Sequence, residues 1–538
     1  MGQLICTTLH GHTFHDFLTS NTTMPTDEQQ YVQLLYSITH SLISTSQRTC
    51  LDTARSPNLT INHLPDEVLL VIFDSYRQGI DSYDHQWRTK YAWFNLTHVC
   101  RNWRAVIFAS SSRLDLGIAV GPTKPDDIEP ILSGPLPILV EYKEMYKDIT
   151  SSALWRMRAA LEQRDRVRRI SFEGTRASMD QLFGATNCTF PALDSVVLRS
   201  SRGQDLAVPG TFLREAAADV SDLHLRRLSL GRVSLTSISG FLLSTSAVTD
   251  LSLQIDTAFG TSSETSLLAC LQGTHCLCRL DLSIYSAPLD SPPPPLSPQD
   301  VVQLSKLTCF HYAGHPVFLE ALVAGLSAPY LREIRLEFRV ILSPIVHLTR
   351  FINETEEHFH VVHVNFHEHV FDLSLQTQSV YTCICDTRIQ SGYTRFCGTC
   401  TPSSQIPKQS PESVTRLCGA LSKKLSAVEE LRVVFGFAMM AADDYMLWRR
   451  FYEQFPGVKV FKAYLEEETY DFLAPTFLRN RETAGAALAF FPALEEIQLG
   501  KGMFWTPGSH SKTKLAVFRP FVSARKRAGY PVRVSFCP

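Results

Sequence analysis

Four thiols crowd the stretch CICDTRIQSGYTRFCGTC, where Cys383, Cys385, Cys397 and Cys400 fall into one CxC and one CxxC spacing. Thiolates so arranged can hold a tetrahedral zinc. Only one of the two spacings is the CxxC knuckle that such sites favour, and Thr, Tyr, Val and Phe flank the run. Small apolar cysteines buried in a β-hairpin therefore compete with the metal reading. Just upstream, His358, His360, His363, His367 and His369 crowd EEHFHVVHVNFHEHV. Alternate residues of a strand share a face, so His367 and His369 can converge, but a metal also needs further ligands in fixed geometry. A solvated strand face is the simpler account. The sequence contains no nucleophile elbow, phosphate-cradling glycine loop, paired-carboxylate pocket or helical HExxH. Its carboxylate runs, at 466–468 and 495–496, read as solvated faces. The chain is therefore expected to perform no chemistry itself and to carry no cofactor, the four cysteines being its metal candidates.

Any such residues must be positioned by a large scaffold. At 538 residues the chain exceeds what one compact core organises, so several domains or a repeat array are expected. Its 51 basic and 53 acidic side chains leave a formal charge of −2, which offers no global field for nucleic acid or an anionic membrane. No basic start with a continuous apolar core opens the chain, and no window approaches about 18 uninterrupted apolar residues. An intracellular protein, cytoplasmic or nuclear, is expected. Its 14 cysteines then read as free thiols in a reducing compartment.

A repeated pattern organises the chain beyond residue 110. VRRISF begins at 167, LDSVVL at 193, LRRLSL at 225, VTDLSL at 248, LCRLDL at 277, LTCFHY at 307, LREIRL at 331 and VVHVNF at 361. VEELRV follows at 428, VKVFKA at 458 and LEEIQL at 494. The last three apolar positions of each alternate as in a strand, while the first anchors the turn that enters it. Intervals of 23 to 32 residues between the first eight starts accommodate a strand, a helix and two turns. One unit cannot bury its own apolar face, so the units are expected to stack. The predicted fold is α/β: an irregular leucine-rich-repeat solenoid, with parallel strands on the concave face and helices such as 154–165 outside. If the register is right, Arg227, Ser229, Ser252, Asp281, Arg335, Arg432 and Gln498 face outward on the concave side. Loops are expected at 286–300, where consecutive prolines forbid a helix or central strand, and at 376–420. The segment FRPFVSARKRAGYPVRVSF reads as a closing helix and strand.

Ahead of the array lies a different kind of segment. In LPDEVLLVIFDSY, Pro65 suits a helix start, Asp66 and Glu67 complement the dipole, and Val68 to Phe73 are apolar without a break. That run exceeds a single apolar stripe and predicts two partners for the helix. With LTHVCRNWRAVIFASSSRL behind it, the segment resembles the F-box, through Leu64, Pro65, Glu67, Leu69, Ile72, Phe73, Val99, Cys100, Arg101 and Trp103. F-box proteins of mushroom-forming fungi are similar in their extended connection, here 77–93, their degenerate leucine-rich solenoid and a closing AR..AG.PV segment. The resemblance implies a small all-α module that docks on a Skp-family adaptor, and through it a cullin, within an SCF-type ubiquitin ligase. Leu64, Pro65, Glu67, Leu69, Ile72, Phe73, Val99, Cys100 and Trp103 would form the adaptor-binding set, and the solenoid would hold a protein substrate of unknown identity.

The expected organisation is thus an extension at 1–58 with one helix around 31–43, an F-box at 60–110, a linker with the first solenoid units at 111–165, and the solenoid at 166–538. A scaffold that delivers nothing for ubiquitination and a zinc-dependent enzyme built on Cys383 to Cys400 are the alternatives. Elemental analysis of purified protein is expected to find less than stoichiometric zinc; one zinc per chain, lost on Cys397→Ser, would establish the metal site instead.

Overall fold

The computed structural model describes residues 64–81, 96–97, 99–110, 117–121, 136–143, 150–184, 186, 188–200, 208–209, 212–213, 225–232, 247–255, 264–284, 301–338, 345–366, 371–377, 411–435, 445–465, 491–501 and 511–536. The expected helix at 31–43, the loop at 286–300, His367, His369 and the four clustered cysteines Cys383, Cys385, Cys397 and Cys400 lie outside these residues. Two compact units are present. One contains the helices α1 (Asp66–Asp81) and α2 (Arg101–Ala109) together with Leu136. Because α1 runs on through Asp81, the connection expected from 77 starts later.

The second unit holds most of a 15-stranded sheet that runs almost in chain order. Its strands are β1 (Ile118–Val120), β2 (Ile138–Lys143), β3 (Val167–Gly174), β4 (Ser195–Ser200), β5 (Arg227–Gly231), β6 (Asp250–Ile255), β7 (Arg279–Ile284), β9 (Cys309–Gly314), β11 (Glu333–Phe338), β12 (Val361–Phe366), β13 (Phe371–Gln376), β14 (Glu430–Phe435), β15 (Val460–Leu465), β16 (Glu496–Lys501) and β17 (Arg533–Phe536). A separate parallel pair joins β8 (Val302–Gln303) to β10 (Leu326–Ser327). From β3 to β11 every pairing is parallel. Strands β1 and β2 precede VRRISF, within the 111–165 segment expected to hold a linker and the first units.

Helices α3 (Ser151–Leu161), α4 (Arg176–Phe183), α5 (Glu264–Gln272), α6 (Pro316–Ala324), α7 (Val346–Asn353), α8 (Pro411–Ala420), α9 (Ser422–Leu425), α10 (Tyr445–Tyr452) and α11 (Ser511–Arg527) lie between or after strands. Local chemistry starts several of them. Thr150 Oγ1 accepts from Ala153 N at 3.2 Å and Thr175 Oγ1 from Ser178 N at 3.5 Å, while Pro316 opens α6 behind a capping His315. Apolar helix side chains pack on the sheet; Phe351 of α7, for example, meets Phe310 of β9 edge-on at 5.6 Å.

Two apolar rows run across the strands on the helix side: Leu228, Leu251, Leu280, Phe310 and Ile334 in one, Leu230, Leu253, Leu282, Tyr312 and Leu336 in the other. Burying a leucine contributes about 1.5–3 kcal/mol, whereas the whole strand-propensity scale spans about 1 kcal/mol. Packing therefore sets the register. A one-residue slip would turn Arg335 and Asp281 into the core.

Two features depart from the expected repeat. VVHVNF is not an ordinary unit: the chain turns back after β12, and β13 inserts antiparallel between β11 and β12. The interruption expected at 376–420 is also shorter at both ends, because Gln376 ends β13 and α8 starts at Pro411. Proline is at home there, since its missing N–H would go unpaired in a first turn anyway.

Buried cations plug the turns that lead into strands. Lys424 Nζ donates to the carbonyls of Thr355 and Glu357 ahead of β12. Arg525 of α11 donates to Phe491 O at 2.9 Å, Pro492 O at 3.2 Å and Leu494 O at 3.1 Å ahead of β16. Burial pushes the pKa of both cations below its ordinary value. The closing strand adds an exposed arginine, Arg533, which reaches Glu496 at 2.6 Å and with Ser535 holds that carboxyl down at about 2. Replacing Arg525 with Ala leaves three carbonyls, two of them in buried hydrogen bonds, short of their donor, and a loss of about 3 kcal/mol is expected. Amide exchange in β16 and β17 should accelerate most; unchanged protection there would refute this role.

Candidate functional site

In the helical unit, the Pro65 carbonyl accepts from Val68 N at 3.0 Å and Leu69 N at 3.1 Å, which makes Pro65 the cap of α1 and sets Asp66 and Glu67 in its first turn. Cys100 caps α2 in the same way, in an extended conformation with its Sγ accepting from Trp103 N at 3.4 Å. Arg104 Nε ties α2 back to Thr97 O at 3.0 Å. These caps fix where the two helices start.

Their packing divides the residues expected to touch an adaptor. Leu69, Ile72, Phe73 and Trp103 lie in the unit's own core with Leu70, Val106, Ile107, Leu96 and Leu136. The Phe73 and Trp103 rings meet edge-on, with centroids 4.9 Å apart. These four side chains are therefore buried inside the unit rather than on its surface. Leu64, Val99 and Cys100 are half-buried against the cluster, and Pro65 and Glu67 are exposed. Val71, 44% exposed on α1, and Phe108, 39% exposed on α2, complete the accessible apolar set. Neither stands out as a type. Val71 is recognisable by position: it lies about 160° around the helix from Phe73 and about 160° from Leu69, at 100° per residue.

On the second unit, the candidate surface is the strand face turned away from the helices. Ser229, Ser252, Asp281, His311, Arg335, Ser374, His363, Arg432, Lys462 and Gln498 lie in one row across it, and Arg227 lies in the row beside it. The row changes character along the sheet. From β5 to β9 its side chains are partly exposed, whereas His363, Arg432 and Lys462 are buried. His363 is thus no part of a solvated face, although His358 and His360, in the turn before β12, are exposed.

Ion pairs hold the buried end of the row. Arg335 Nη2 meets Asp372 Oδ2 at 2.8 Å, and Glu430 Oε1 takes both Lys462 Nζ, at 2.8 Å, and Arg432 Nε, at 2.5 Å. Asp372 Oδ1 and Asn365 Oδ1 accept no hydrogen bond, although their residues are 2% and 4% exposed. Towards β9, His311 Nε2 stands 3.3 Å from Glu333 Oε1, a separation that suits an ion pair better than an aligned hydrogen bond. His311 leads the groups that hold the Glu333 carboxyl below the ordinary carboxylate range, and burial opposes it. Among the described residues no group of three His, Cys, Asp or Glu side chains could hold a metal, and no helix is long and apolar enough to cross a membrane.

No family model and no curated protein matches the chain. Among solved structures, a crystal structure of a TLR13–ssRNA13 complex is similar over 71% of this chain, at 11% identity and a TM-score of 0.31. The likeness spans only 42% of that chain and is too slight to argue from. What stands on the coordinates is a mixed α/β chain with a long, mostly parallel sheet, alongside a small helical unit.

Phe73→Ala is expected to cost about 3–5 kcal/mol and to release amide protection in α1 and α2 while the strands stay protected. Val71→Asp, at an exposed site, should leave both helices protected. Full protection in Phe73→Ala would show that this cluster does not hold the pair.

Proposed function

We propose that the chain is the substrate-recognition subunit of an SCF-type (Skp–cullin–F-box) ubiquitin ligase. In this reading the helical unit is an F-box that docks on a Skp-family adaptor, and the strand–helix stack is a leucine-rich-repeat-like solenoid that holds the protein to be modified. One observation carries it: the Leu-Pro-x-Glu and Ile-Phe elements and the Cys-Arg-x-Trp element, 27 residues or more apart in sequence, contribute to one apolar cluster, through Phe73 against Trp103. Support also comes from what that cluster leaves outside. Pro65, Val71 and Phe108 are exposed apolar side chains on a helical pair, the kind of anchor that settles into a partner's groove. The work of such a subunit is proximity. Holding a substrate lysine beside a conjugating enzyme raises the local concentration of the reacting groups without chemistry by the receptor itself. The setting would be the cytoplasm or nucleus.

The test separates the surface from its support. Pro65→Ala combined with Val71→Asp is expected to cut capture of a purified Skp-family adaptor at least tenfold, with the thermal unfolding of the chain unchanged. Undiminished capture by this variant, or none by the wild type, would remove the assignment.

A further inference from the structure

The closing part of the sheet carries a charge that the balance of the whole chain conceals. Residues 497–538 hold 8 of the 51 basic side chains and none of the 53 acidic ones, which leaves the preceding 496 residues at a formal −10. Six of those eight lie on α11. Two cations of the region are engaged: Arg525 points inward onto the turn ahead of β16, and Arg533 is taken by Glu496 at 2.6 Å. Arg519, Lys526 and Arg527 are exposed and, among the described residues, make no hydrogen bond or ion pair.

Other helices neutralise such charges in place. Arg176 of α4 meets Asp180, Arg350 of α7 meets Glu354, and Arg449 of α10 meets Glu453, each four residues on. Helix α11 has no acidic side chain for the purpose. Nor does helix stability account for the bias. Lys526 and Arg527 suit the negative end of the helix dipole, but Arg519 lies mid-helix and gains nothing from it, and Lys512 and Lys514 occupy the first turn, where the dipole disfavours cations. Seven residues separate Arg519 from Lys526, so they stand about 10 Å apart along the helix and about 20° apart around it. Exposed Ser523 lies between them, and Phe518, Phe521 and Ala524 turn the opposite side of the helix into the core.

We propose that this cationic row of α11 docks a short acidic segment, rich in aspartate or glutamate, of another protein. An extended segment rising about 3.3 Å per residue spans the row in three residues, so carboxylates at every third position meet Arg519 and Lys526 together. The Ser523 hydroxyl supplies a further donor between them. The rest of the chain selects among anions. A nucleic acid or an anionic membrane extends past the helix and is repelled by the acidic remainder, whereas a short segment stays within the roughly 8 Å over which the α11 charges act. This docking does not depend on the ligase reading.

Fluorescence anisotropy of the full chain with two labelled dodecapeptides, four repeats of Glu-Gly-Gly and four of Gln-Gly-Gly, tests this directly. The glutamate peptide is expected to bind, more weakly as salt rises, and the glutamine peptide not. Joint replacement Arg519→Gln, Lys526→Gln and Arg527→Gln should weaken glutamate-peptide binding at least tenfold, and Arg519→Gln alone about threefold. Since none of the three side chains makes a contact, thermal unfolding is expected to shift by no more than a few degrees. Arg176→Gln, which removes a cation already paired on α4, should have no effect. No binding of the glutamate peptide, equal binding of both peptides, or a triple variant within twofold of wild type would overturn the proposal. Tighter binding of a twelve-nucleotide oligothymidylate, or of phosphatidylserine vesicles, than of the peptide would overturn it as well.

Discussion

A single backbone carbonyl at the entrance of each strand, taking two amides from the unit that follows, is the constraint on which the strand stack depends. Arg226 O accepts from Thr249 N at 2.8 Å and Asp250 N at 3.0 Å, Thr249 O from Cys278 N and Arg279 N, and Cys278 O from Thr308 N and Cys309 N. His360, Glu429 and Lys459 repeat the arrangement for β14, β15 and β16. Each such junction fixes where the next strand starts, so the apolar rows align without a turn residue of one type repeated from unit to unit. Behind each junction lies a buried anchor, such as Leu225, Val248, Leu277 or Leu307. The anchor holds the turn, the turn presents the carbonyl, and the carbonyl sets the register.

That chain of causes explains why much of the stack could be read from residues alone. An anchor followed by alternating apolar positions is the local trace of a junction, and it located β3 to β7, β9, β11 and β14 to β16 to within a few residues, though not the short pair β8 and β10. Features set by distant partners left no such trace. FDLSLQ alternates like its neighbours, but nothing local says that β13 runs backwards, because its direction depends on two flanking strands. Lys424 and Arg525 look like solvated helix charges until the carbonyls they plug are in place. In the helical unit, composition suggested two apolar faces on α1, but Leu69, Leu70, Ile72 and Phe73 all turn to one core, and Val71 is left outside.

In the proposed reading the helical unit and the stack would divide two physical tasks. The first would need a rigid apolar surface whose shape is held from behind, and the edge-on contact of Phe73 with Trp103 would supply that support. The second would need a broad face, and charges paired with their own neighbours along it would lower indiscriminate attraction.

The reversed strand also governs the path of the chain. Thr377 N bonds to Arg332 O, and His360 N to Gln376 O, so β13 ends on the margin of the sheet where the other strands begin. Helix α8 and the short α9 lead into the entrance of β14, which places the start of α8 towards the opposite margin. The described residues on either side, Thr377 and Pro411, thus stand towards opposite margins of the sheet, separated along the strand direction by about the length of a six-residue strand, about 20 Å. Reversing one strand moves the point where the chain leaves the sheet to the other margin.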